Sequence, residues 1–242
     1  MCGRNSLFLH ASVLTDRFGC SLGREVKYRP RYNIAPGAPL EVITNESPTE
    51  IHQFQWGLLP SWANEEDVGF VNASVETATN APVLRDAWRR RPCLVLSTGF
   101  YTWADQSHGP KRPYRVFVRG QAAFAMAGLW ERTIIDNVLI NSVAVLTASV
   151  TDDGFPIRDR LPVVIPSHQE QQWLIAGPSE RAALCRGRST AFLSLYEVEP
   201  LINDPTRDDP CVLRPAAFGQ VHTSHENDDA YIHLHSGAEG PS

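Results

Sequence analysis

Short segments of apolar residues, some continuous and some alternating with polar ones, recur along this chain in the pattern of strands. Leu40–Thr44 and Ile51–Trp56 read as strands, and a strand-rich middle follows in Cys93–Leu96, Tyr114–Arg119, Ala123–Trp130 and Val138–Ala148. Asp136 and Asn137 supply the turn between the last two. Helical spacing is confined to short segments. Val13, Leu14, Arg17 and Phe18 predict a helix over Ala11–Phe18 that stops at Gly19, and Val83–Arg90 predicts an amphipathic helix entered through Pro82. After Val163–Ile165, Ser167 and Glu170 have the spacing of a capping box and predict a helix through Leu174. A second helix is expected over Ser179–Cys185, ending near Gly187. Residues 28–39 hold too many prolines and glycines for a regular element and are expected as an ordered loop or extended segment. From Gly219 the periodicity fades, so residues 219–242 are expected to form a flexible tail. No repeat or linker divides the remainder. The pattern predicts one α+β domain, residues 1–218, built mainly on antiparallel strands.

Composition narrows the class. With 242 residues, 43% hydrophobic and 20% charged, the chain can bury a substantial core and is not a disordered polymer. No stretch of 18 apolar residues occurs and no signal-peptide pattern opens the chain, so no membrane partner is expected and a cytoplasmic location is. Five cysteines without a CxxC pair fit reduced thiols rather than a disulfide framework or a zinc ribbon. A net charge of −5 argues against a globally basic nucleic-acid binder. Charge distribution matters more than the sum, however: 20 arginines stand against two lysines, and Arg85, Arg89, Arg90 and Arg91 cluster. Arginine bias across a genome accounts for most of this, while the cluster near aromatic residues suits phosphate contacts. His222, His225, His233 and His235 are read as part of the polar tail, and no metal or other cofactor is expected.

The position of Cys2 carries chemistry of its own. Removal of Met1 would leave an α-amine and a thiol on adjacent carbons, with ordinary pKa values of about 7.7–8 and about 8.5, so both are partly deprotonated near neutrality. Two uses are open. The amine can condense with an aldehyde to an imine on which the thiolate closes, giving a five-membered thiazolidine; the aldehyde of an abasic deoxyribose is such a target. Alternatively, the thiolate can attack an amide with the amine as its base. The MCG start is compatible with both, since it also opens class II glutamine amidotransferases.

The rest of the chain separates these. MCGR at 1–4, YNIAPG at 32–37, WGLLPSWA at 56–63, NASVET at 72–77, CLVLSTGFYTW at 93–103, FAMAGLWE at 124–131, VLTA at 145–148 and RDRLP at 158–162 occur in order. Together they resemble the SRAP family, the SOS-response-associated peptidases regarded as abasic-site processing proteins. The resemblance implies a barrel-like core of mainly antiparallel sheets flanked by short helices. It also implies a monomer acting in DNA repair on single-stranded or gapped DNA containing abasic sites, nucleoid-associated when bound. In that family the mature N-terminal cysteine crosslinks to the abasic site through a thiazolidine, and an autopeptidase activity is ascribed to it. Cys2 matches the nucleophile and Asn72 the active-site asparagine. Arg4, Asn33, Pro36, Trp56, Trp62, Trp103 and Thr147 lie in matching blocks and would line the DNA groove, with Arg85 as a phosphate contact. About half of the six tryptophans are expected to serve only as core.

Three positions depart from the family pattern. Ser74 stands where an arginine is usual, removing one phosphate-binding charge. Thr102 replaces the glutamate of the GFYEW block, and a hydroxyl is no carboxylate base near pH 7. Arg158 replaces the histidine of the HDRMP block and holds its proton far above neutrality. Lost acid–base assistance costs about 10²–10⁴ in rate, so peptide autocleavage and crosslink reversal are expected to be slow or absent. Glu76, Asp105 and Asp159 are candidate replacement carboxylates, and Arg158 could hold phosphate in place of the arginine missing at Ser74. Two further readings stand beside the crosslinking one: a relative that only binds DNA or a protein partner, and a distant third, an N-terminal-cysteine amidohydrolase.

Overall fold

The computed structural model describes residues 3–60, 62–64, 69–106, 109–150, 155, 157, 160–186, 190–217 and the backbone of 221–223. Five strands close into a barrel. Val138–Ser149, Phe124–Ile135, Pro92–Ser97, Pro39–Thr44 and Glu50–Trp56 pair in that order as antiparallel neighbours. The ring closes where Glu50–Trp56 runs parallel to Val138–Ser149 through the pairs Gln55 with Ser142 and Trp56 with Val143. Closure leaves these strands no free edge. Pro92–Ser97 is also covered outside the barrel, by the helix Glu170–Ile175 and the strand Arg4–Leu7, so it is buried at every position and reads as a continuous apolar run rather than an alternating one.

A second, six-stranded sheet packs beside the barrel in the order Val221–Thr223, Leu193–Glu197, Arg112–Val118, Gly99–Ala104, Arg4–Leu7, Arg31–Ile34. Two side-chain bridges lock it to the barrel strand Pro92–Ser97. Asn5 donates to the carbonyl of Leu96 at 3.1 Å, and Ser97 donates to Asn5 Oδ1 at 2.7 Å. The chain therefore places its N-terminal strand next to the edge of this sheet, between Gly99–Ala104 and the edge strand Arg31–Ile34.

The local expectations are largely met, with instructive exceptions. The helix Ala11–Phe18 ends at Gly19, whose φ of 62° is the left-handed geometry of a C-cap. The hairpin between Phe124–Ile135 and Val138–Ser149 turns on Asp136 and Asn137 with φ of 48° and 64°, as a two-residue primed turn requires. The capping box at Ser167 does not form. Pro166 and Ser167 start a 3₁₀ turn over Ser167–Gln169, so the α-helix begins only at Glu170 and no side chain caps it. Glu170 is instead held by Arg17, at 2.7 and 3.2 Å. The loop-like residues 28–39 contain the strand Arg31–Ile34, and Val221–Thr223 extends the smaller sheet three residues into the segment expected as a tail.

Two features outside the barrel shape the surface considered below. The loop after Trp56 is pinned at its base: Leu58 and Phe70 form a bridge, Ser142 Oγ accepts from Leu59 N–H, and Thr133 donates to the carbonyl of Leu59 at 2.7 Å. A Cβ on Gly69 would lie 2.2 Å from the carbonyl oxygen of Gly57, so only glycine permits this neck. The C-terminal arm, residues 198–215, adds a small second core in which Val198, Ile202 and Val212 pack on Tyr101, with Tyr32 and Trp103 at its border.

Candidate functional site

Four of the six tryptophans, Trp56, Trp88, Trp130 and Trp173, are core residues. Trp62 is 69% exposed at the outer end of the pinned loop, and Trp103 is half-buried on the outer face of Gly99–Ala104. These two are the indoles available to a ligand.

Trp103 belongs to a cluster at the start of the chain. Arg4 is paired with Tyr101 across the strands Arg4–Leu7 and Gly99–Ala104, which brings the N-terminus alongside Trp103. The Arg4 guanidinium carbon lies 5.9 Å from the indole centroid, and a Cβ on Gly3 would touch Trp103 Cζ3 at 3.7 Å. The indole Nε1–H donates to Asn203 Oδ1 at 2.8 Å, and Arg4 Nη2 donates to the Asn203 carbonyl at 3.3 Å. Burial lowers the pKa of Arg4 from its ordinary value, partly offset by the field of Asp204. Cys2 and Arg158 lie outside the described residues; Cys2 is peptide-bonded to Gly3.

Thr102 points to the opposite side of the same strand. It is fully buried, and among the described residues its hydroxyl has no hydrogen-bond partner. A buried hydroxyl left unmade costs about 1–3 kcal/mol. The strand therefore carries an unspent polar group next to Trp103.

A second cluster gathers around the strand Asn72–Ser74, which runs parallel to Val138–Ser149 with Asn72 opposite Val145 and Ser74 opposite Thr147. Asn72 is half-buried at its start. At its end the chain turns into the short helix Val75–Ala78, and Ser74 Oγ donates to Glu76. Arg160, on the neighbouring strand Arg160–Pro162, closes the group. Its Nη2 binds Glu76 and the Thr147 carbonyl, its Nε donates to Thr147 Oγ1 at 3.2 Å, and its Nη1 donates to Ser149 Oγ at 3.1 Å. Partial burial works to raise the Glu76 pKa, but the hydrogen bonds from Ser74 and Arg160 prevail and hold it at about 2. A carboxylate that acidic is a weak base at neutral pH. Asp105 is 83% exposed and paired with Lys111 at 3.0 Å, and Asp159 lies outside the described residues. Neither Glu76 nor Asp105 thus has the setting of a general base.

The remaining positions divide by exposure. Pro36 is exposed at the turn before Pro39–Thr44, and Arg85 is exposed on the helix Pro82–Arg90 together with Arg89 and Arg90. Arg91 is spent elsewhere, in an ion pair with Glu131 at 2.6 Å. Asn33, Trp56 and Thr147 are each 1% exposed and present no side-chain surface. Trp56 donates to the Val71 carbonyl at 2.9 Å, and Asn33 Nδ2 donates to the carbonyls of Asp204 and Arg207, both at 2.9 Å. Their contacts support the loops that carry exposed groups. The sequence pointed to neither Arg160 nor Asn203. Arg160 lies two residues past Arg158 in the same block, but Asn203 reaches Trp103 from 100 residues away and leaves no local signal.

Among the described residues no group of three or more His, Cys, Asp or Glu side chains is placed to hold a metal ion, and no helix is long and apolar enough to cross a membrane.

Comparison with known proteins gives the site a context. Abasic site processing protein YoqW of Bacillus subtilis is 29% identical over 219 residues, covering 87% of this chain and 97% of the relative. Abasic site processing protein HMCES of Gallus gallus is 26% identical over 267 residues, covering 90% of this chain and 79% of the relative. A crystal structure of a Bacteroides thetaiotaomicron protein shares the fold with a TM-score of 0.78 at 24% identity, covering 89% of this chain and all of that one. The profile of the family described as SOS response associated peptidase (SRAP) matches residues 1–205. The chain belongs to the SRAP family.

Proposed function

We propose that this protein processes abasic sites in single-stranded or gapped DNA by forming a covalent thiazolidine through Cys2 once Met1 is removed. The observation that carries the reading is the packing of Gly3 and Arg4 against Trp103, which ties the residue after Cys2 to a half-exposed indole and a cation. The names of the relatives support abasic-site processing as the setting.

The chemistry balances without an external oxidant. The Cys2 α-amine adds to the aldehyde carbon of the ring-opened sugar, and loss of one water leaves an imine. The thiol sulfur then adds to the imine carbon while its proton passes to the nitrogen, closing the five-membered ring. Trp62 and Trp103 offer stacking surfaces for splayed bases, and Arg4 and Arg85 offer charge to the backbone. Asn72 orients the sugar or the N-terminus through its amide. Thr102 can donate or accept a hydrogen bond but cannot exchange a proton as a carboxylate does, so the steps needing acid–base help, reversal and peptide autocleavage, are slow.

The test is to incubate the mature protein with single-stranded DNA carrying one abasic site and look for a heat-stable adduct, with intact mass reporting Met1 removal. An adduct lost in Cys2→Ala supports the reading. Absence of an adduct, or one undiminished in Cys2→Ala, rejects it. Salt-sensitive DNA binding without an adduct would favour the alternative, a non-covalent DNA-binding relative, for which the acidic, arginine-bound Glu76 and the hydroxyl at Thr102 speak.

A further inference from the structure

The C-terminal arm meets the start of the chain at one residue. Asn203, the last residue of the 3₁₀ turn Pro200–Asn203, accepts from the Trp103 indole through its side chain and from Arg4 through its carbonyl. It thus holds both side chains that pack against Gly3. Asn203 itself is exposed, so its value lies in where it is fixed rather than in burial.

It is fixed from both sides. Ile202, immediately before it, is fully buried in the small core against Tyr101. Asp204, immediately after it, has its carbonyl bound by the Asn33 amide at 2.9 Å, and the same amide reaches the Ile202 carbonyl at 3.3 Å and the Arg207 carbonyl at 2.9 Å. Asp208 completes the anchor by accepting from the N–H groups of Tyr32 and Asn33 at 2.6 and 3.0 Å and from Arg31 at 3.1 Å. A buried strand residue therefore sets the path of the arm, and the arm sets Asn203. An indole on a strand surface has freedom about two torsions; an acceptor at 2.8 Å on a braced turn selects one orientation.

We propose that Asn203 is a positioning residue for the N-terminal site: it holds Trp103 and Arg4 in the one orientation in which they meet a sugar bound beside Gly3. The inference rests on the covalent reading above. Its consequence is a rate effect more than an affinity effect, because phosphate contacts elsewhere remain while the geometry of attack degrades.

The experiment uses the full chain as wild type, Asn203→Leu, Asn203→Ala and Asn203→Asp. Three quantities are read: the Trp103 indole N–H resonance by NMR, the single-turnover adduct rate at saturating abasic single-stranded DNA, and the binding midpoint for undamaged DNA. Asn203→Leu is expected to move the resonance and slow adduct formation by about ten- to a hundredfold, with the binding midpoint changed by no more than about twofold. Asn203→Ala, which cannot crowd the turn, should do the same. Asn203→Asp keeps an acceptor oxygen and should recover most of the rate, which a merely structural role would not predict. An unmoved resonance, an undiminished rate in Asn203→Leu and Asn203→Ala, a loss confined to affinity, or failure of Asn203→Asp to recover would each overturn the proposal. A wild-type protein that forms no adduct removes the covalent reading as well, whereas normal adducts in all variants remove this inference alone.

Discussion

The guanidinium of Arg160 binds the carboxylate of Glu76 across 84 residues of chain, beside the strand that bears Asn72. Glu76 stays ionised down to a pKa of about 2, so at neutral pH its negative charge offsets the positive charge that Arg160 would otherwise show to a polyanion. Its pKa lies below the ordinary carboxylate value of 4.5, so the pairing is at full strength above that value and is lost as pH falls through about 2. Glu76→Gln removes the opposing charge at all pH values. The expected result is tighter binding to undamaged single-stranded DNA at low salt and a plot of log affinity against log salt that steepens by about one unit. Fluorescence anisotropy over a salt series measures both, and an unchanged slope would show that Arg160 does not face the nucleic acid.

Thr102 makes a different kind of prediction, because its hydroxyl is buried without a partner among the described residues. Thr102→Val removes a polar group that folding leaves unsatisfied, so stability should hold or rise by about 1 kcal/mol. Thr102→Glu places a carboxyl at a fully buried position, at a cost of about 1–3 kcal/mol in overpacking and a further penalty for desolvating the charge. Its adduct should release DNA faster, which a chase with excess unlabelled DNA would report. Equal release rates in wild type and Thr102→Glu would show that this position does not govern reversal.

The legible parts of this molecule were those whose physics is local. Gly19 and the Asp136-Asn137 pair marked a helix end and a turn because left-handed backbone restricts residue choice. Ser167 and Glu170 misled because Pro166 imposes a 3₁₀ start, and because Arg17, distant in sequence, gives Glu170 a stronger partner than a backbone N–H. The strands Arg4–Leu7, Asn72–Ser74 and Gly99–Ala104 escaped the periodicity because they are short and defined by partners far along the chain. At the site, the ordered motif blocks brought Cys2, Asn72, Thr102 and Trp103 to notice. They did not reveal that Asn33, Trp56 and Thr147 act from inside, since a block match is silent on which face a side chain takes.

Arg181 tests the fold apart from the chemistry. It is 2% exposed, packs on Trp88, and donates to the carbonyls of Ala176, Trp88 and Arg89, where two helices end. A cation at helix C-termini is favourable, and its loss strands three acceptors. Arg181→Met should therefore lower stability by about 3 kcal/mol, seen as a lower denaturation midpoint at unchanged slope. Below the unfolding transition its adduct rate should match wild type. A parallel loss of rate would mean that the helices it caps also shape the site.

Asp208 links the arm to pH. Burial alone would push its pKa up, but the N–H groups of Asn33 and Tyr32 and the Arg31 guanidinium reverse that and hold it below the ordinary 3.8. Folding therefore gains from the ionised form, and the gain is complete above 3.8 and lost as pH drops through the lowered value. Asp208→Asn removes the charge at every pH and leaves Arg29 and Arg31, at 3.2 and 3.1 Å from it, without their anion. The arm should then open more often, with faster amide exchange at Ile202–Arg207 and a Trp103 indole resonance shifted toward its solvent-exposed position. Wild type should approach the same behaviour only as pH falls through the lowered Asp208 pKa, whereas Asp208→Asn should show little further change over that range. Exchange as slow in Asp208→Asn as in wild type at neutral pH would place the anchor on the Asn33 amide alone.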